Sequence, residues 1–140
     1  LHEQLIQRLL LVSSFNQLQA KCRNLYFNQG VQGTRGFHCD GRSLKFKSFV
    51  YISDVNKLDD GPYCYVKGSH RHSLLRRNNS TFNKENQLDP FEFSQLQASK
   101  AISIFAKAGD MVISSQKGAH CGHPQHPEAK RAVLVNMYQR

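Results

Sequence analysis

Short apolar runs broken by glycine turns limit this chain to a β architecture. Strand-like stretches rich in Val, Ile, Phe and Tyr fall at residues 25–28, 36–40, 46–53, 63–66, 101–106, 111–115, 119–121 and 132–138. Gly61-Pro62, Gly68-Ser69 and Gly109-Asp110 supply turn signals between them. Eight short strands with few helices fit a closed or sandwiched β fold. A length of 140 residues predicts a single domain, and a hydrophobic content of 39% is enough for one core. Two segments depart from this pattern. Residues 1–23 carry leucines and an isoleucine at helical spacing among Gln, Glu, Arg and Lys, which predicts an N-terminal amphipathic helix. Residues 71–100 are polar and rich in Asn, Gln and Ser, and read as a solvated loop or as a lid over a site. In the lid reading, Arg71, Arg76 and Arg77 are anion contacts.

The chemistry is carried by His38-Cys39-Asp40, by His120 and by Arg131. Side chains alternate faces along a strand, so His38 and Asp40 point one way and Cys39 the other. Two imidazoles and a carboxylate form the set that holds non-haem Fe(II) on one face and leaves the other open. The second imidazole must come from a strand that lies alongside, and His120 sits between two strand-like runs. Arg131 opens the next run and offers a planar fork suited to a carboxylate. An H-x-D triplet alone recurs by chance, so its weight comes from the order of all four residues. A rival site would use Cys39, Cys121, His123 and His126 for zinc, but the paired spacing of zinc ribbons is absent.

The text between these residues resembles the phytanoyl-CoA dioxygenase family. The resemblance lies in FHCDG at 37–41, KFKSFVYISDV at 45–55 and DDGPYCYVKGSHRHS at 59–73. It continues in AGDMVISS at 108–115, GAHCGHP at 118–124 and KRAVLVNMY at 130–138, and so spans residues 24–138. It implies a double-stranded β-helix, the jelly-roll-like barrel of that superfamily, over 24–138. It also implies Fe(II) held by His38, Asp40 and His120, with Arg131 on the far carboxylate of 2-oxoglutarate. Tyr26 is a second candidate for the co-substrate. One position departs: family members often place Ser or Thr two residues after the distal histidine, and here that residue is Gly122. Members are usually longer before the H-x-D, so the chain is expected to lack N-terminal family elements.

The implied reaction is hydroxylation of an unactivated C–H of a small organic substrate, with O₂ consumed and 2-oxoglutarate converted to succinate and CO₂. Asp40 favours hydroxylation, because related halogenases carry a small residue there. His70 and Arg71 are candidate substrate contacts. A net charge of +9 and a pI near 9.7 suit an anionic substrate. The basic residues are spread along the chain and no RNA-binding aromatic motif is present, so a nucleic-acid partner is not expected. A nucleic-acid demethylase of the wider superfamily is disfavoured too, because the last strand lacks a second, later arginine. The competing class is an inactive β-barrel binding module, or a truncated fragment, that keeps the shell of the site. Leu9 to Val12 is too short an apolar stretch for a signal peptide, and nothing is long enough for a membrane-spanning helix. Cys22, Cys39, Cys64 and Cys121 form no disulfide framework by spacing, which together with Fe(II) points to the reducing cytoplasm.

Overall fold

A computed structural model describes Gln4, Arg8 and residues 19–71, 74–96 and 98–139. The described residues are mainly β. They form β1 (Gln19–Gln29), β2 (Lys45–Tyr51), β3 (Tyr63–Tyr65), β4 (Ile102–Ile104), β5 (Met111–Ser115), β6 (His120–Gly122) and β7 (Lys130–Gln139). One α-helix, α1 (Leu74–Glu85), lies between β3 and β4. The strands make two antiparallel sheets, a larger one of order β1-β7-β2-β5 and a smaller one of order β4-β3-β6. No helix among the described residues is long and apolar enough to cross a membrane.

The period-2 pattern decides what faces the space between the sheets. On β7, Val133 and Val135 turn inward and join Tyr51, Val55 and Ala106 in a buried cluster, with Phe49 and Val112 against it. Val55 and Ala106 exchange backbone hydrogen bonds of 2.8 and 3.0 Å, which ties the chain after β2 to the chain after β4. β7 lies between β1 and β2, so both of its backbone edges are paired.

Three expectations change. The helix over 1–23 lies largely outside the described residues. Gln4 and Arg8 are helical, but residues 19–23 belong to β1. That polar stretch is strand because β7 pairs with it from Gln19↔Gln139 to Gln29↔Lys130, with one irregularity between Ala20 and Cys22. The strand expected at 36–40 shrinks to a single residue, His38, bridged on one side to Glu92 and on the other to His120.

The third change concerns residues 71–100, which hold a twelve-residue helix instead of a plain loop. Its asparagines hid it, since Asn competes with helical hydrogen bonds. Here Asn79 and Asn83 lie one turn apart on the buried face and are spent on backbone carbonyls. Asn79 Nδ2 donates to Glu92 O at 2.6 Å, and Asn83 Nδ2 donates to Asp89 O and Glu92 O at 2.7 and 2.8 Å. The helix thereby pins the segment 89–93, whose Phe93 packs with Cys39, Val66 and Ala119 behind the candidate site.

Candidate metal centre

His38 and His120 face each other across one antiparallel bridge. His38 N donates to His120 O at 2.9 Å and His120 N donates to His38 O at 2.9 Å. Residues opposed in this way project their side chains to the same face, and the two imidazole centroids are 4.5 Å apart. Each ring is turned by its own chain. His38 Nδ1 lies 2.8 Å from Gly36 O, and His120 Nδ1 lies 2.9 Å from Gly118 O. A carbonyl only accepts, so both Nδ1 atoms donate and both Nε2 atoms are turned toward the cavity. Those Nε2 atoms lie 3.7 Å and 3.6 Å from Asp40 Oδ1. Cys39 points the other way, into the apolar cluster with Val66, Phe93 and Ala119, as strand alternation requires.

Asp40 is held from both ends. Its backbone N–H donates to Gln116 O at 3.0 Å. Lys45 Nζ donates to its carbonyl at 3.0 Å, and Lys47 Nζ sits 2.6 Å from Oδ2. Burial pushes the Asp40 carboxyl up, but His120 and Lys47 outweigh it and hold the group well below the usual carboxylate range. Burial lowers His38 below the ordinary histidine value, which favours the neutral ring. The three side chains therefore bring one carboxylate oxygen and two imidazole nitrogens within 4.8 Å of one another. This is a donor set for a first-row divalent ion with open positions. The Nδ1–H to carbonyl contacts are the orienting partners that metal-bound histidines use.

Arg131 opens β7 and lines the same cavity, which has a volume of about 300 Å³. Its Nη1 donates to Gly61 O and its Nη2 donates to Asn28 Oδ1 at 3.2 Å. Both acceptors are neutral, and the buried Nε has no hydrogen-bond partner among the described residues. Burial draws the guanidinium below its ordinary value, opposed only by Tyr51. A buried cation without an acid beside it is complementary to an anion entering from outside. The residues thus fit both a divalent ion and a small carboxylate in one cavity.

The other sequence candidates separate clearly. Tyr26 lies on β1 and lines the metal cavity with Asn28 and Arg131. Its hydroxyl accepts from Asn24 Nδ2 at 3.1 Å. His70 lines a different cavity, with Lys67 and Lys117, and Arg71 stands exposed beside it. Neither lines the space around Asp40. Among the described residues, His38, Asp40 and His120 form the one cluster of metal-ligand type. The rival zinc set is not assembled: Cys39 is in the apolar cluster, and His123 Nδ1 is bonded to Pro124 O at 2.8 Å. All four cysteines are free. Sequence reasoning missed Lys47 and Gln116 as cavity residues. The period-2 pattern on β2 could have placed Lys47 inward, in step with Phe49 and Tyr51.

No protein-family profile matches the chain, and no characterised protein matches it by sequence. Solved structures do match by fold. HygX from Streptomyces hygroscopicus, with nickel and 2-oxoglutarate bound, superposes with a TM-score of 0.67 at 19% identity, over 94% of this chain and 61% of that one. AviO1 from Streptomyces viridochromogenes Tue57 gives a TM-score of 0.65 at 16% identity, over 88% of this chain and 51% of that one. The nickel complex of the non-heme monooxygenase ThoJ gives 0.61 at 16% identity, over 87% and 44%. The chain thus spans roughly half to three fifths of the length of these structures. What they share with it is the fold.

Proposed function

We propose that this chain is an Fe(II)- and 2-oxoglutarate-dependent oxygenase that hydroxylates an unactivated C–H of a small organic substrate. One observation carries the reading. Two imidazoles, each turned by an Nδ1 contact to a backbone carbonyl, converge on one carboxylate, in a cavity that also holds an arginine with no acid partner among the described residues. The fold neighbours support it, because HygX is described with iron, with nickel and 2-oxoglutarate, and with hygromycin B bound as well. Under this reading the fold is a double-stranded β-helix. The chain crosses between the sheets at β1, His38, β2, β3–β4, β5, β6 and β7 in turn, as such a coil requires. The likeness to phytanoyl-CoA dioxygenases and a cytoplasmic setting belong to the same reading.

In that function His38, Asp40 and His120 would hold Fe(II), and Arg131 would hold the distal carboxylate of 2-oxoglutarate, with Tyr26 and Asn28 beside it. Bound Fe(II), 2-oxoglutarate and O₂ would supply oxidative decarboxylation coupled to hydroxylation. The chain's own part is to orient and to exclude water. Lys47 occupies Asp40 Oδ2, which leaves Oδ1 toward the histidines. Phe49 and Tyr63, with ring centroids 4.6 Å apart, also wall the cavity. Tyr63 stays protonated, since burial raises its phenol, and its hydroxyl is 2.8 Å from Ser114 Oγ.

The test is anaerobic addition of Fe(II) and 2-oxoglutarate to the purified chain. A weak visible charge-transfer band that needs both components is expected, followed by succinate release once O₂ is admitted. The reading fails if no band forms. A band without succinate would make the chain a binding module of the same design.

A further inference from the structure

A second cavity, of about 370 Å³, lies behind the metal-ligand segment. Its floor includes Cys39, whose side chain points away from the face used by His38 and Asp40. Three cations line it from three separate parts of the chain: Arg42 in the turn after Asp40, Arg77 on α1 and Lys117 in the turn between β5 and β6. None of the three side chains has an acid partner or a hydrogen bond among the described residues. Asp89 and Glu92, which flank this wall in sequence, pair with Arg35 instead. Ser80 and Thr81 stand three and four residues after Arg77 on α1, so their hydroxyls share its face. The lining also includes the apolar Pro90, Phe91 and Phe93.

We propose that this cleft binds an organic phosphate, an anion carried on a flat apolar body. Two guanidinium forks and an ammonium from separate segments can surround one phosphate, whose oxygens also accept from the two hydroxyls. The aromatic wall takes the attached body, since small-molecule sites combine apolar lining with a few convergent polar groups. The concave shape argues against nucleic acid, which is held along an extended basic track with stacked bases. The chain's net charge of +9 draws such anions in. This site is separate from the metal cavity: Cys39 and Lys117 line it, whereas His38, His120 and Arg131 line the other.

The experiment is calorimetric titration of the full chain with phenyl phosphate and with inorganic phosphate at low salt. Saturable one-to-one binding of phenyl phosphate is expected, at least about threefold tighter than inorganic phosphate. Arg77→Ala should weaken it about tenfold. Arg42→Ala combined with Arg77→Glu should abolish it, and circular dichroism checks that these exposed changes leave the fold intact. His120→Ala should leave the binding unchanged, which separates this site from the oxygenase reading. The proposal is overturned if phenyl phosphate does not saturate, or if the arginine variants bind it equally well. Equal affinity for inorganic phosphate would remove the apolar wall from the site. Loss of binding in His120→Ala would place the anion in the metal cavity. Tight binding of a short RNA without binding of phenyl phosphate would make the cleft part of a nucleic-acid surface.

Discussion

The two sheets divide the candidate site between them, and they are built differently. The larger sheet has strands of eleven, ten, seven and five residues and contributes Arg131, Lys47 and Tyr26. The smaller has strands of three residues each and contributes His120, with His38 bridged onto its edge. Long ladders fix the anion end through many pairs. The metal end has few pairs, and is fixed by local contacts: ring nitrogen to carbonyl two residues back, and Ser69 Oγ bonded to both Val66 O and Ala119 N at 2.6 and 2.8 Å. The lesson is that placement of the imidazoles rests on a handful of short bonds, whereas placement of the guanidinium is distributed along β1, β7 and β2.

The largest expected effect tests the division directly. His120→Ala should lower Fe(II) affinity by more than about a hundredfold, beyond what loss of an orienting partner costs. It should abolish the visible chelate band while the chain stays folded by circular dichroism. Arg131→Ala should do the reverse, weakening 2-oxoglutarate by about a hundredfold, as expected for a lost bidentate charged contact, with Fe(II) affinity kept. If either variant moves both affinities equally, the two ends are not separable. Gly118→Ala strikes the local bonds of the smaller sheet, because a Cβ there runs into the Tyr65 hydroxyl and approaches Ser69 Oγ to 2.9 Å. It should cost about 1–3 kcal/mol in chemical denaturation, and it should also loosen metal binding through the carbonyl that orients His120. Metal affinity unchanged in Gly118→Ala would show that this carbonyl is not what sets the ring. Gly122→Ser gives the smallest effect. Its Cβ would meet only the Thr34 methyl at 3.9 Å. An added hydroxyl should tighten 2-oxoglutarate about two- to fivefold, a fraction of one ordinary hydrogen bond. Weaker binding would mean that the room beside Gly122 is already used by the co-substrate.

Much of the larger sheet was legible, because β2, β5 and β7 are apolar runs closed by turn residues, and 111–115 is matched in full by β5. The meeting of His38 and Asp40 was legible for a different reason: alternation over two residues puts them together wherever the segment is extended, and one bridge suffices for that. The first half of β1 was not legible. Its polar residues owe their conformation to β7, far along the chain. α1 was hidden by its own asparagines: the Asn79 and Asn83 amides donate to the carbonyls of Asp89 and Glu92, beyond the end of the helix. Lys47 was not singled out. A buried-facing lysine makes sense once Asp40 lies 2.6 Å away. His70 was drawn in by its place after a Gly-Ser turn, and the turn delivers it to another cavity.

The reciprocal backbone bridge between His38 and His120 has a consequence for loading. Both rings are aimed by bonds to the chain's own backbone, which would orient them whether or not an ion is bound. Such a socket does not choose its ion by folding around it. Intrinsic affinity then climbs from manganese through iron to nickel and copper. Under the proposed function, supply would then decide which ion occupies a freshly made chain, and stripping with a chelator followed by refilling should be fully reversible.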